Sequence, residues 1–168
     1  MKRQNYLVQK ISFDFMMDIY NKQVKVNTKN KKKIYKFEEF YSANMVRVLN
    51  SFNDEKYEPG EYNVFLIKDP KYRIIMSQNI SDKIINHAMA NVVIKVLEPS
   101  LIDMNVATRV SKGTHNGIRF LKKYLNEFKG DVYALKFDIS KYFYNINHDI
   151  LKKLLIKRIK DRRYCKKI

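Results

Sequence analysis

Val132-Tyr133-Ala134-Leu135-Lys136-Phe137-Asp138-Ile139-Ser140-Lys141-Tyr142-Phe143 is the stretch on which the reading of this chain turns. Val, Tyr, Leu and Phe in close succession favour β structure. Gly130-Asp131 upstream and the helix-start signal Asn147-His148-Asp149 downstream bound the run, so it reads as a short buried strand. Asp138 then stands at the strand's carboxyl end, where backbone meets solvent. A carboxylate on a rigid strand edge, beside the backbone carbonyl of Ile139, suits a hard cation such as Mg²⁺, which takes few protein ligands and leaves the rest of its shell to phosphates and water. Taken locally, an Asp in this place is more often a turn former, so the rest of the chain has to decide between the two.

Upstream, Leu7, Ile11, Phe15, Met16 and Ile19 recur at helical spacing and predict an amphipathic helix over Asn5 to Tyr20. Gln23 to Lys36 carries Lys25, Lys29, Lys31, Lys32, Lys33 and Lys36 with no acidic residue, and reads as an exposed loop, solvated or touching phosphate. Phe37 to Phe52 has helical spacing again and predicts a second helix stopping near Asn53-Asp54. Glu58-Pro59-Gly60 is a turn. The runs Tyr62 to Ile67 and Tyr72 to Met76, joined by Lys68-Asp69-Pro70-Lys71, form a β-hairpin. Ser81 can cap a long helix that ends at Glu98-Pro99. An irregular stretch over 100–112 leads to Thr114, the expected cap of a helix through Phe128. After the strand, Asn147 or Asp149 caps a last helix with Ile150, Leu151, Leu154, Leu155 and Ile159 on its apolar side. Helices, one hairpin, more helices and a single strand make an α+β protein rather than an alternating α/β one.

The 168 residues suffice for about one domain. With 45% hydrophobic residues the composition is ordinary, but 34 Lys and Arg against 17 Asp and Glu leave a net charge of +17. Such an excess points to a polyanion, nucleic acid or anionic lipid. No apolar run approaches the roughly 18 to 20 residues of a spanning helix, and the first 20 residues lack a signal peptide's pattern, so a cytoplasmic protein is expected. A basic amphipathic helix with an exposed apolar face, the mark of a peripheral membrane protein, is also missing from the sequence pattern. Cys165, the one cysteine, excludes an internal disulfide and a zinc cluster and reads as an incidental thiol in a basic tail. His87, His115 and His148 each lie beside a helix with no carboxylate or cysteine at ligand spacing, which favours structural roles.

In order along the chain, these blocks resemble the bacterial reverse transcriptases of group II introns, retrons, diversity-generating retroelements and related defence proteins. Lys71-Tyr72-Arg73-Ile74-Ile75 is similar to the family's fingers hairpin. Ser81-Asp82-Lys83-Ile84-Ile85-Asn86-His87-Ala88 with Leu97-Glu98-Pro99 is similar to the helix that follows it. Thr108-Arg109-Val110-Ser111-Lys112-Gly113-Thr114-His115 resembles the basic, Gly-containing block after that. Phe137-Asp138-Ile139 through Phe143, continued by Ile146-Asn147-His148-Asp149-Ile150-Leu151, resembles the first catalytic motif of the palm.

The resemblance covers about residues 60 to 160 and implies a division into helices and fingers over 1–130 and an incomplete palm over 131–168. It implies transfer of a deoxynucleotide to a primer 3′-hydroxyl on an RNA template, with two Mg²⁺ ions stabilising the attacking and leaving oxygens. Asp138 and the carbonyl of Ile139 match metal ligands, and Arg73 matches the triphosphate-binding Arg, with Lys68 and Lys71 as possible assisting charges. Phe143 matches the aromatic position beneath the sugar, where a ring excludes a 2′-hydroxyl. Arg109 and Lys112 are expected near template or nucleotide, and Lys31, Lys32 and Lys33 at phosphates. The implied partners are RNA template, RNA–DNA hybrid and deoxynucleoside triphosphates.

The family's Tyr-Xaa-Asp-Asp hairpin has no counterpart here, because none of the ten Asp residues adjoins another. One carboxylate does not organise two divalent ions, so residues 1–168 are expected to be part of a longer polymerase and inactive by themselves. The other reading is a reverse-transcriptase-like module that grips RNA through its basic surface without catalysis. Both predict salt-sensitive nucleic-acid binding.

Overall fold

The computed structural model describes Leu7 and residues 11–54, 57–68 and 70–166. Helix α1, Phe13–Ile19, starts where the Ser12 hydroxyl accepts from the Phe15 N–H, and it continues as a π-helix over Tyr20–Lys25. Most of the earlier part of the helix expected from Asn5 lies outside the described residues. The Lys-rich run is not the expected loop. Asn30 caps helix α2, Lys31–Glu38, which places Ile34 and Phe37 one turn apart in the core and Lys31 and Lys32 in solvent. Burial of two apolar residues at helical spacing outweighs the local charge pattern. The second expected helix is interrupted at Phe40, and α3 runs over Tyr41–Asn53.

Strands β1, Asn63–Lys68, and β2, Tyr72–Ser77, pair antiparallel with Phe65 opposite Ile75 and Ile67 opposite Arg73, as the hairpin reading expects. Asp69 in the connecting turn lies outside the described residues. Helix α4, Ile80–Leu97, is capped by Asn79, whose Oδ1 accepts from the Asp82 N–H at 2.8 Å, rather than by Ser81. Its buried side chains, Ile84, Ile85, Ala88, Met89, Val92 and Val96, recur at helical spacing and share one broad face. A short 3₁₀ turn, Glu98–Ser100, follows. Helices α5, Thr114–Glu127, α6, Tyr142–Asn145, α7, His148–Ile156, and α8, Arg162–Lys166, complete the order. Gly113 at φ +133°, a value open to glycine, precedes α5 in place of a Thr114 cap. Asn147 caps α7 by accepting from the Ile150 N–H.

The mixed composition of helices and one antiparallel hairpin makes the fold α+β. It divides into two compact units, one comprising the chain up to Val96 together with the segment from Lys152, the other Leu97–Leu151. This division differs from a boundary at residue 131. The first unit holds the core: Tyr20, Met45, Phe52 and Ile84 are fully enclosed, Tyr20 stacks near Phe37 and Tyr41 with centroids 5.2 and 5.3 Å away, and Gln23 and Asn91 exchange side-chain hydrogen bonds at 3.2 and 3.0 Å. The basic tail returns to this core. Ile159, Tyr164 and Cys165 are buried in it, and the Tyr164 hydroxyl donates to the Met89 carbonyl of α4. The second unit has no buried residue at all.

The predicted strand over Val132 to Phe137 does not form. Residues 131–139 are irregular, and the only ladder among the described residues is that between β1 and β2. Strand propensity reports fit to a paired, half-buried surface, and without a partner strand these backbone groups turn to water instead. No helix among the described residues is long and apolar enough to cross a membrane.

Candidate functional site

In the first unit the hairpin carries the candidate triphosphate contacts. Every residue of β1 is exposed, and of β2 only Ile75 and Ser77 are half-buried. Alternation along the strands puts Phe65, Ile67, Arg73 and Ile75 on one face and Val64, Leu66, Lys68, Tyr72, Ile74 and Met76 on the other. Arg73 and Lys68 thus leave opposite faces, and the register brings Lys68 to its partner Tyr72, with Nζ 5.1 Å from the ring centroid, a cation–π contact. Lys71 sits in the bend between the strands. Arg73 is exposed and makes no ion pair with any described residue, so its planar fork of donors is open to an oxyanion. Lys31 and Lys32 project from the first turn of α2, while Lys33 is half-buried.

At the base of the hairpin lies a network that local pattern did not reveal. Asp82, in the first turn of α4, is only 3% exposed. It accepts from the Tyr57 hydroxyl, from the Gly60 N–H at 2.9 Å and from Asn79 Nδ2 at 2.8 Å. Partners 22 and 25 residues away leave no local signal for this network. Burial and the Asp82 hydrogen bond push the Tyr57 hydroxyl well above the usual phenol range, so it stays protonated and donates.

In the second unit the basic block has internal contacts, those of Arg109 foremost. Its Nε and Nη2 fork onto Glu98 Oε1 at 2.8 and 2.7 Å, and Nη1 donates to the carbonyls of Ile102 and Asn105 at 2.8 and 3.0 Å. With its side chain 8% exposed, Arg109 ties together the loop that holds Glu98, Ile102 and Asn105. Thr108 and Ser111, at φ +57° and +59°, flank it in left-handed backbone. Lys112 pairs with Asp103 at 3.1 Å and keeps that carboxyl below its ordinary range. Beyond it, Ser111 to Asn116 and Arg119 line an open recess of about 430 Å³ at the start of α5.

Asp138 stands in the irregular stretch and faces solvent, and its Oδ1 accepts from the next residue's N–H, Ile139, at 2.9 Å. That contact is a local turn. Lys141 at φ +50° opens α6, and Phe143 is 84% exposed, touching Tyr142 edge-on at 5.4 Å. Among the described residues no group of three or more His, Cys, Asp or Glu could hold a metal ion. One carboxylate and one carbonyl are a partial ligand set, short of the two-metal arrangement that the resemblance implies. Asp138, Ile139 and Phe143 follow one another along the second unit, while Arg73, Lys68 and Lys71 belong to the first. No protein-family model matches the chain, and no curated protein matches it either.

Proposed function

We propose that this chain forms the fingers and the first catalytic block of the palm of an RNA-directed DNA polymerase acting in the cytoplasm. The reading is carried by the hairpin, which offers Arg73 from an exposed strand pair just before a buried helix, at the position the resemblance assigns to a triphosphate contact. In this reading Arg73 forks onto the triphosphate and neutralises charge that grows on the pyrophosphate. Lys71 adds a point charge from the bend, and Lys68, on the opposite face, plays at most a secondary part. Phe143 offers a flat ring beneath the sugar, selecting deoxynucleotides. Asp138 and the Ile139 carbonyl contribute a partial ligand set for Mg²⁺. Bound Mg²⁺ supplies electrostatic stabilisation of the reacting oxygens. The remaining carboxylates must come from outside these 168 residues, which contain no adjacent Asp pair.

The bare second unit fits the same reading. Leu135 and Phe137 are 85% and 83% exposed, and in this reading the irregular segment that carries them becomes a palm strand only when partner strands are supplied to it. The net charge of +17 supports a nucleic-acid partner, RNA template or RNA–DNA hybrid. A second reading, a non-catalytic RNA-binding module of the same architecture, is favoured by the Asp138 carboxylate accepting from the Ile139 N–H.

Primer extension separates the two. Purified residues 1–168 should bind RNA with a steep salt dependence and give no magnesium-dependent synthesis. In a polypeptide that also contains the paired carboxylates, Asp138→Ala should abolish synthesis and spare RNA binding. Synthesis that survives this substitution removes Asp138 from the mechanism and leaves the binding module.

A further inference from the structure

We propose that Asp82 is the positioning residue of the Arg73 hairpin, a buried carboxylate that joins the segment entering β1 to the segment leaving β2. The proposal rests on the reading of the hairpin as a triphosphate-binding element. Tyr57 and Gly60 precede Asn63, the first residue of β1, while Asn79 follows Ser77, the last residue of β2. All three donate to the one carboxylate, and the Asp82 N–H returns a hydrogen bond to Asn79. Both ends of the hairpin therefore meet on a side chain fixed in the first turn of the buried helix α4.

A two-stranded hairpin is marginal in water, and this one leaves nearly all of its side chains exposed, so its direction is set at the base rather than along its length. Burying a carboxylate costs free energy that hydrogen bonds must offset, and the three donors provide that offset together, which couples them. Gly60 is part of the fit. A Cβ there would lie 2.6 Å from Asn79 Nδ2 and 3.4 Å from Asp82 Oδ2, so any larger residue pushes the Asn79 amide off the carboxylate.

Tyr57→Phe and Gly60→Ala test the clamp in the 168-residue chain without removing the buried charge. Hydrogen exchange is read for amides of β1 and β2 against those of α4, alongside equilibrium binding of dATP. Both substitutions should speed hairpin exchange about tenfold relative to α4, a selective opening of the hairpin. Both should also weaken dATP binding several-fold with Arg73 intact, whereas Arg73→Ala should weaken dATP binding and leave exchange unchanged. Unchanged hairpin exchange in both variants overturns the clamp. Faster exchange with unchanged dATP affinity overturns the positioning role. A wild-type chain that does not bind dATP overturns the triphosphate reading itself, and exchange then still decides whether Asp82 holds the hairpin.

Discussion

The guanidinium of Arg109 holds the carboxylate of Glu98 through two nitrogens, at 2.7 and 2.8 Å, and so closes the loop between the end of α4 and the start of α5. A basic residue in a basic block is thereby assigned to architecture. Lys112, in the same block, pairs with Asp103, whereas Arg73 is exposed on its strand.

Arg109→Lys keeps the charge and loses the fork. Loop amides over 102–112 should exchange faster, with a local loss of about 1–3 kcal/mol from broken charge-assisted hydrogen bonds. The salt slope of RNA binding should stay as in the wild type; a slope smaller by about one would mean that Arg109 contacts a phosphate after all.

Tyr164 anchors α8 to α4 through the Met89 carbonyl and is fully buried. Tyr164→Phe should cost about 1 kcal/mol, one hydrogen bond, and Tyr164→Ala about 3–5 kcal/mol in urea unfolding. A cost for the Ala variant no larger than that of a surface change would show that the tail is not docked.

Cys165 is buried beside Tyr164, and burial pushes its thiol above the ordinary range. In the folded chain it should therefore resist a thiol reagent at mildly alkaline pH and react once denaturant is added. Because the unfolded thiol ionises first, the stability this burial confers is complete below the ordinary thiol range and declines as pH rises above it. Rapid native-state labelling would contradict the docked tail.

Glu38 accepts from Lys25 at 2.6 Å and from the Tyr20 hydroxyl at 3.1 Å, and the Lys25 bond leads in holding its carboxyl below the usual range. Its contribution is present above the ordinary carboxylate range and is lost as pH falls through the lowered value. Lys25 is half-exposed, so screening limits the effect to about 0.5–1 kcal/mol. Glu38→Gln should flatten the acid limb of the stability profile, and an unchanged limb would assign that limb to other carboxyls.

Phe137→Ala and Leu135→Ala should change the stability of residues 1–168 by no more than about 0.5 kcal/mol, since both side chains stand in water. Thermal melting checks this. A loss near that of a core truncation would show the stretch to be packed as a strand.

Local pattern was enough for the hairpin, α4, α5 and α7. Each is specified by residues close in sequence, alternating strands around a Pro-bearing turn and apolar residues at helical spacing, although α4 and α5 begin at Asn79 and Gly113 rather than at the expected caps Ser81 and Thr114. Asp138 and Arg73 were singled out as candidate groups through resemblance rather than spacing. What distant parts of the chain cover was not legible. The Lys-rich run became α2 because Ile34 and Phe37 found the core, and the basic tail became a core element because Tyr164 reached the Met89 carbonyl. Val132 to Phe137 took the opposite course, since its β-propensity needs a ladder and none is offered among the described residues. The sequence by itself determined the elements whose hydrogen bonds are satisfied locally and the chemical identity of the candidate groups. Only the tertiary structure decided which apolar runs are buried and which charges are taken up internally, because burial and pairing depend on surfaces supplied from elsewhere in the chain.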